Sequence, residues 1–400
     1  MTLIGKKYKY INEGNAHIVL HITDTDYVIR IIKENGRTTD INTVSNCVNF
    51  VNIIMVPLIF GYNKYNHEIV KLSSQEIANL TLNLKEIRPK HRQIKSVFSK
   101  FAIKAPNLAM ITPNSINYCL ELKPKEGFLS HSFKNISKCY YCLKQFLKVK
   151  EKQIEHRSSY CPLDLFSGDK QRMKRGLLNL LRNPQNNLKL FINENVVYNE
   201  SSNIKKFEDF IKSNFFNSVN IFLDFIINIL LGKGNSNLIL EESPELTSET
   251  PVNCTESKEL DTESFLYKLL LMQKIAEIFK IETANVATDK NDHLEYVPVL
   301  LNLVKEQNLD LTNENDRIKF LDTVEEKHLA LISAVAKDCS IMIAYSLTPK
   351  DNSPSIKFGD MNIFYTVSVT DLEPKGAKTL AKRKKTEKML LEINENILKS

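Results

Sequence analysis

Glu121-Leu122-Lys123-Pro124-Lys125-Glu126-Gly127-Phe128-Leu129 sets two lysines on either side of a proline, with an acid before them and a glycine turn after. In an extended chain the side chains at i and i+2 point the same way, so Lys123 and Lys125 present two ammonium groups to one side while Pro124 stiffens the backbone between them. Two fixed cations suit a polyanion, although an exposed strand end with two solvated lysines would read the same. The segment also divides the chain. Short alternating apolar runs precede it, and from Lys138 onward the pattern is mainly helical.

On the N-terminal side, residues 8–11, 17–22 and 27–32 read as three antiparallel strands joined by tight turns. Residues 53–60 and 68–72 read as further strands around the turn 61–64, and 75–86 as a helix. Two more short strands, 107–111 and 118–122, flank the turn-forming Thr112-Pro113-Asn114-Ser115, where a boundary between a unit 1–113 and a unit 114–400 is placed. Beyond it, 139–150, 170–181, 207–215 and 265–281 carry helical patterns, and 363–369 is a strand that delivers Asp371. Residues 233–263, rich in Ser, Glu, Thr, Asn and Pro, read as a mobile insertion. The expected class is α+β.

Composition narrows the function. With 400 residues, 42% hydrophobic and 25% charged, the chain has enough apolar material for a large core and two or three domains. A net charge of +7 is modest for this length, so it does not by itself point to nucleic acid, but it fits a local cationic cleft. The seven cysteines are odd in number and scattered, and residues 1–7 lack an apolar signal region. That predicts reduced thiols and an intracellular location, cytoplasmic or nuclear. The apolar run 219–231 carries Asn220, Asp224 and Asn228 along one helical face, which reads as a buried amphipathic helix, and no membrane span is expected.

Three further places carry chemistry. Glu13-Gly14-Asn15-Ala16 lies between two strands, where small residues can lie over nucleotide phosphates, and Arg30 on a following strand would point into the same cleft. A lone strand-Gly-strand turn is also an ordinary structural feature. Asp338 sits in apolar surroundings and Asp371 closes a strand; two carboxylates that converge can hold magnesium, a hard cation that prefers oxygen. Taken singly, Asp338 would serve as a helix cap and Asp371 as a turn former equally well.

The ordered blocks Glu13-Gly14-Asn15-Ala16, Val28-Ile29-Arg30, Glu121 to Leu129, Cys161-Pro162-Leu163-Asp164-Leu165-Phe166-Ser167-Gly168, Pro184-Gln185-Asn186-Asn187-Leu188, Ala336-Lys337-Asp338-Cys339-Ser340-Ile341-Met342-Ile343 and Asp371-Leu372-Glu373-Pro374-Lys375 together resemble the inositol-pentakisphosphate 2-kinase family. The resemblance runs nearly end to end and is weakest over 191–330. It implies a two-lobed, kinase-like fold with a small β-rich N-lobe and a larger, mainly helical C-lobe that binds the inositol phosphate. The implied reaction moves the γ-phosphoryl of ATP, with Mg2+, to the 2-hydroxyl of inositol 1,3,4,5,6-pentakisphosphate. By the same resemblance Glu13, Gly14, Asn15, Ala16 and Arg30 face ATP, and Thr112 and Asn114 belong to the hinge near adenine. Lys123 bridges the transferred phosphoryl; Asp338 and Asp371 hold the metal, with Asp338 also near the attacking hydroxyl. Arg92, Lys125, Lys144, Lys148, Asn186, Asn187, Lys189 and Lys375 line the substrate.

Departures from the family pattern supply the alternatives. Tyr140 stands where many relatives have Arg, Lys144 where they have His, and Glu-Pro-Lys-Gly follows Asp371-Leu372. These changes leave room for a catalytically weak inositol-polyphosphate-binding scaffold with the same fold. The basic run Lys378, Lys382, Arg383, Lys384, Lys385, Lys388 suggests RNA, but few aromatic residues interleave it, so nucleic acid is not the expected partner; a monomer is expected. Cys139-Tyr140-Tyr141-Cys142, followed by His156 and Cys161, has the outline of a zinc site. The aromatic pair with Leu143 and Phe146 fits a helix with buried cysteines instead. Some plant relatives carry a zinc site in the variable region, which here holds His293 and the distant Cys254. Zinc is therefore not expected.

Overall fold

A computed structural model describes residue 3 and residues 5–34, 38–234, 254–257, 260–278 and 294–399. In its first sheet β1 (Tyr8–Glu13), β2 (His17–Ile22) and β3 (Tyr27–Glu34) pair antiparallel. After α1 (Ile41–Asn49), α2 (Val56–Phe60), β4 (Glu68–Lys71) and α3 (Ser74–Ile87), the long β5 (Val97–Pro106) inserts between β3 and β4, giving the order β1-β2-β3-β5-β4. Strand alternation splits the side chains of β5. Phe98 and Ala102 join Ile18, Leu20, Ile29 and Ile31 in a core with Leu80 and Leu84 of α3, while Phe101 and Ile103 pack with Val44 and Val48 of α1. Helices therefore cover both faces of this sheet. Ser73 and Glu76 start α3 with a reciprocal capping box.

Two expected strands are not strands. Residues 53–60 are helical: α1 runs through a π-type turn (Phe50–Met55) into α2, and Gly61, at φ 76°, stops it in the left-handed conformation. A continuous apolar run carries no period to separate helix from strand, and Pro57 sits in the first turn of α2, where a missing N–H is tolerated. By length and composition Ile41–Phe60 would pass for a membrane span. It behaves as a core helix, with Val44, Val48, Phe50, Val51, Ile54 and Met55 buried and Asn52 exchanging two hydrogen bonds with the His67 backbone (2.9 and 2.8 Å). Residues 107–111 form a turn instead of a strand, because the Asn107 side chain accepts from Ala109 N (3.2 Å) and its carbonyl from Met110 N (3.2 Å).

The second sheet takes strands from far apart in sequence. In chain order the elements are β6 (Tyr118–Leu122), α4 (Tyr140–Lys150), α5 (Pro162–Leu165), α6 (Lys170–Arg182), β7 (Leu188–Ile192), β8 (Asn195–Tyr198), α7 (Ile204–Lys212), α8 (Val219–Leu230), α9 (Phe265–Ile278), α10 (Tyr296–Glu306), α11 (Glu314–Thr323), α12 (Glu326–Ala336), β9 (Ser340–Ser346), β10 (Ser355–Phe358), β11 (Met361–Thr370) and α13 (Lys378–Lys399). The strands align as β10-β11-β9-β6-β7-β8, all antiparallel. β9 is buried along its whole length because both faces are covered. Ile341, Ile343 and Tyr345 join the main core, where Tyr118 stacks on Tyr345 (5.2 Å) and Phe216 and Phe225 meet it edge-on. Met342 and Ala344 pack on the other side with Ile111, Cys119 and Phe191. The α+β class stands, and α8 is the buried helix expected from 219–231, its Asp224 paired with Lys174 (2.7 Å). Residues 235–253 and 258–259 of the expected insertion, and His293, lie outside the described residues.

Candidate active site

Strand register brings the chemistry to one edge of the second sheet. Thr370 of β11 pairs with Ser340 of β9; Leu122 of β6 lies opposite Ile341 of β9 and Leu188 of β7. Asp371 after β11, Asp338 before β9, Lys123 and Lys125 after β6, and Asn186 and Asn187 before β7 all leave the sheet there. Lys123 Nζ lies 2.9 Å from Asp371 Oδ2. Asp338 takes Lys125 on one oxygen (3.3 Å) and Lys375 on the other (2.6 Å). Ser340 Oγ, 3.2 Å from the carboxylates of both Asp371 and Glu121, completes the edge.

The fields of these groups overlap. Burial alone would raise the pKa of Asp338, but Lys125, Lys375 and Lys123 outweigh it and hold it down at about 2. Lys123 is pushed down by burial and up, more strongly, by Asp371, Glu121 and Asp338, so it keeps its proton. Lys125 goes the other way: burial lowers it, and repulsion from Lys123 and Lys148 is only partly offset by Asp338. Lys125 (φ 61°) and Asp371 (φ 64°) both occupy the left-handed backbone region, which residues with a Cβ rarely hold unless their surroundings enforce it.

Those surroundings are built from buried side chains. Tyr160 Oη donates to the Pro124 carbonyl (2.7 Å). Glu126, directly after Lys125, is buried, with both of its oxygens held by Nη2 of Arg383 in α13 (3.0 and 2.7 Å) and Lys337 3.5 Å away. Gly127 is required, because a Cβ there would lie 2.3 Å from the Phe166 ring.

Beside this edge opens a cavity of about 1030 Å³. Nine lysine and arginine residues and four acids line it, among them Lys125 and Lys375, Lys144 and Lys148 from α4, Asn186 and Asn187, and Lys382, Arg383, Lys384 and Lys388 from α13. Burial, then Lys125 and Lys148, press the Lys144 ammonium toward losing its proton, and burial does the same to Lys148. An excess of crowded cations is what a polyphosphate would relieve. Arg383, whose guanidinium carbon lies 4.5 Å above the Tyr140 ring, joins the wall beside it. Lys189 pairs with Glu121 across the sheet and is not among the lining residues, nor is Arg92.

The N-terminal candidates lie on the first sheet and in the turn after β5. The carboxylate of Glu13 is out of water, held by Lys33 Nζ (2.8 Å) and by Arg88 (2.9 and 3.0 Å). What this loop offers to phosphates is thus the backbone of Gly14-Asn15-Ala16, and Lys33 fixes it by donating to the Gly14 carbonyl. Arg92 Nη1 donates to Asn15 Oδ1 (3.0 Å), and Arg88 holds the Arg92 carbonyl (2.6 Å). Arg30 forms an ion pair with Glu373, two residues past Asp371. Thr112 and Asn114 occupy the turn after β5, where Asn117 Oδ1 accepts from Thr112 N (3.3 Å).

The cysteines correct the expectation on zinc. The sulfurs of Cys139, Cys142, Cys161 and Cys254 all lie within 4.8 Å of one another, with Cys254 3.6 Å from Cys161 and 3.7 Å from Cys142. A tetrahedral thiolate site with Zn–S near 2.3 Å puts its sulfurs roughly 3.8 Å apart, whereas a disulfide needs about 2 Å. The four-cysteine set therefore fits zinc. His156 takes no part in it. The Cys-x-x-Cys at the start of α4 was visible in sequence. Cys254, 93 residues after Cys161, gave no local signal.

A family model described as inositol-pentakisphosphate 2-kinase matches residues 10–389. The inositol-pentakisphosphate 2-kinase of Danio rerio is 27% identical over 436 aligned positions, covering 92% of this chain and 89% of that protein. The Arabidopsis thaliana protein of the same description is 26% identical over 299 positions, 68% of this chain and 58% of its own. A Drosophila melanogaster relative so named is 44% identical over a shorter stretch of 71 residues, 18% of this chain and 11% of that protein.

Proposed function

The chain belongs to the inositol-pentakisphosphate 2-kinase family, and on that premise we propose how its residues divide the work of the reaction. The activity is transfer of the γ-phosphoryl of ATP to the 2-hydroxyl of inositol 1,3,4,5,6-pentakisphosphate, giving the hexakisphosphate. The two sheets form the cores of two lobes, divided near residue 113, with ATP between them and the inositol phosphate in the basic cavity. The observation that carries this reading is the meeting of Lys123 with Asp371, and of Lys125 and Lys375 with Asp338, at one sheet edge, with Lys125, Asp338 and Lys375 lining that cavity.

Asp338 and Asp371 are hard-oxygen donors suited to magnesium, which when bound neutralises charge on the β- and γ-phosphates. The lysines now resting on these carboxylates exchange them for phosphate oxygens when ligands enter. Lys123 follows the moving phosphoryl group. Asp338, ionised over the working pH range, orients the attacking hydroxyl. Lys125, Lys375, Lys144, Lys148, Asn186 and Asn187 hold the phosphates that do not react. Phosphoryl transfer needs mainly positioning and charge stabilisation, so a preset cationic cavity supplies most of what the chemistry asks. Incubation with radiolabelled ATP and the pentakisphosphate, with separation of the products, tests the reading. Labelled hexakisphosphate is expected. Tight hexakisphosphate binding without any labelled product would replace it with the scaffold alternative.

A further inference from the structure

Gln273 belongs to α9, within the stretch where the sequence shows least of the family pattern, and its side chain is fully buried. Its amide joins two segments of the site. Nε2 donates to the Lys125 carbonyl (2.9 Å) and to the Ala336 carbonyl (3.2 Å), and Oε1 accepts from Gly127 N (2.9 Å). The nitrogen faces two carbonyls and the oxygen faces an N–H, so the partners fix which way the amide points. Both of its N–H groups are used. Ala336 ends α12 two residues before Asp338, and Ser333 of the same helix donates to the backbone carbonyl of Gln273 (2.7 Å).

We propose that Gln273 is a positioning residue for phosphoryl transfer, setting the separation of Lys125 from Asp338 through one buried amide. The left-handed turn at Lys125 is clasped from both sides, its carbonyl by Nε2 and the N–H two residues on by Oε1. The same nitrogen ties that turn to the end of α12. A neutral amide makes the link without adding a charge beside Lys125, Lys337 and Asp338, where a further ion would need a partner of its own. The role rests on the function proposed above.

Gln273→Met keeps the volume and removes all three bonds. Per folded molecule, kcat is expected to fall ~10- to 100-fold, the effect of displacing a catalytic group by about 1 Å. The KM for ATP should stay within about twofold, since the hydrogen bonds of Gln273 run to Lys125, Gly127, Ala336 and Ser333, none of them in the first sheet, while hexakisphosphate affinity weakens. A kcat per folded molecule matching the parent would overturn the proposal, as would a loss tracking only the unfolded fraction. Should the Met variant not fold, Gln273→Glu carries the test. It retains the acceptor for Gly127 and loses the donors, so activity should be low at neutral pH and rise toward acid, where the protonated acid donates again. A pH profile superimposable on that of the parent overturns the role. Calorimetric titration with the hexakisphosphate separates the two readings. A parent that binds but turns nothing over sinks the kinase reading, and the role of Gln273 then stands on loss of affinity in its variants and falls if affinity is unchanged.

Discussion

Cations around the first sheet and cations around the cavity are treated differently by their surroundings. Lys33 and Arg88 close on Glu13 away from water, and Arg30 closes on Glu373. Lys144 and Lys148, in contrast, form no ion pair among the described residues, and burial presses both toward losing a proton. The first arrangement holds a backbone in place before any ligand arrives. The second is incomplete without an anion. Substitutions in the two regions should therefore fail in different measurements.

The largest effect is expected at Glu13. Glu13→Gln leaves two buried cations without a counter-charge, which typically costs ~3–5 kcal/mol, read by denaturant unfolding. Replacing Lys33 and Arg88 with methionine in the same background should recover much of it. Burial would raise the pKa of Glu13, but Arg88 and Lys33 outweigh burial and lower it below 4.5. Its stabilising charge is thus present above the unfolded value and lost as the pH falls through the lower folded one, so the acid limb of stability should flatten in the Gln variant. Unchanged stability with a raised KM for ATP would show instead that Glu13 serves the nucleotide directly.

Lys123→Ala should leave stability nearly untouched and lower kcat by ~10²–10³, the usual cost of removing one preset group aimed at developing charge. Retained turnover would detach Lys123 from the reaction. A third region, the cysteine cluster, behaves like Glu13. One zinc per chain is expected by elemental analysis, and Cys254→Ser should cost ~2–4 kcal/mol, the typical worth of one structural cross-link. A metal-free parent with normal stability would contradict the site.

The same division shows how far the sequence could be read. Strands with one face in each environment, such as β2 and β3, announce themselves by alternation, and the Lys123, Asp338 and Asp371 blocks already held the charged residues that meet at one sheet edge. Helix 41–60 did not, because an unbroken apolar run has no period. Gln273 and Cys254 escaped for another reason. Each acts on residues 60 or more positions away, out of a stretch whose local pattern says nothing about its target. The burial of Glu13 was equally hidden, since its second partner, Arg88, arrives from 75 residues downstream. Local chemistry was legible; its long-range partners were not.

The smallest effect lies in the cavity wall and concerns protons. Lys144 in the free protein sits below its ordinary 10.5, through burial first and then Lys125 and Lys148. Phosphates placed beside it favour the ammonium form, so its proton affinity rises on binding. Between the free and bound values, binding takes up protons, and affinity falls as the pH rises through the free value; well below it the group is charged in both states and contributes no dependence. Calorimetry with the hexakisphosphate in two buffers of different ionisation heat, at about pH 9 where phosphates with a second pKa near 6 are already ionised, reads this uptake. It should be larger than at neutral pH and shrink in Lys144→Met, with affinity changing by less than about tenfold per pH unit, the ceiling for one proton. Equal uptake by the variant and the parent would move the titrating group elsewhere. It would also remove Lys144 from the charges that wait for a ligand.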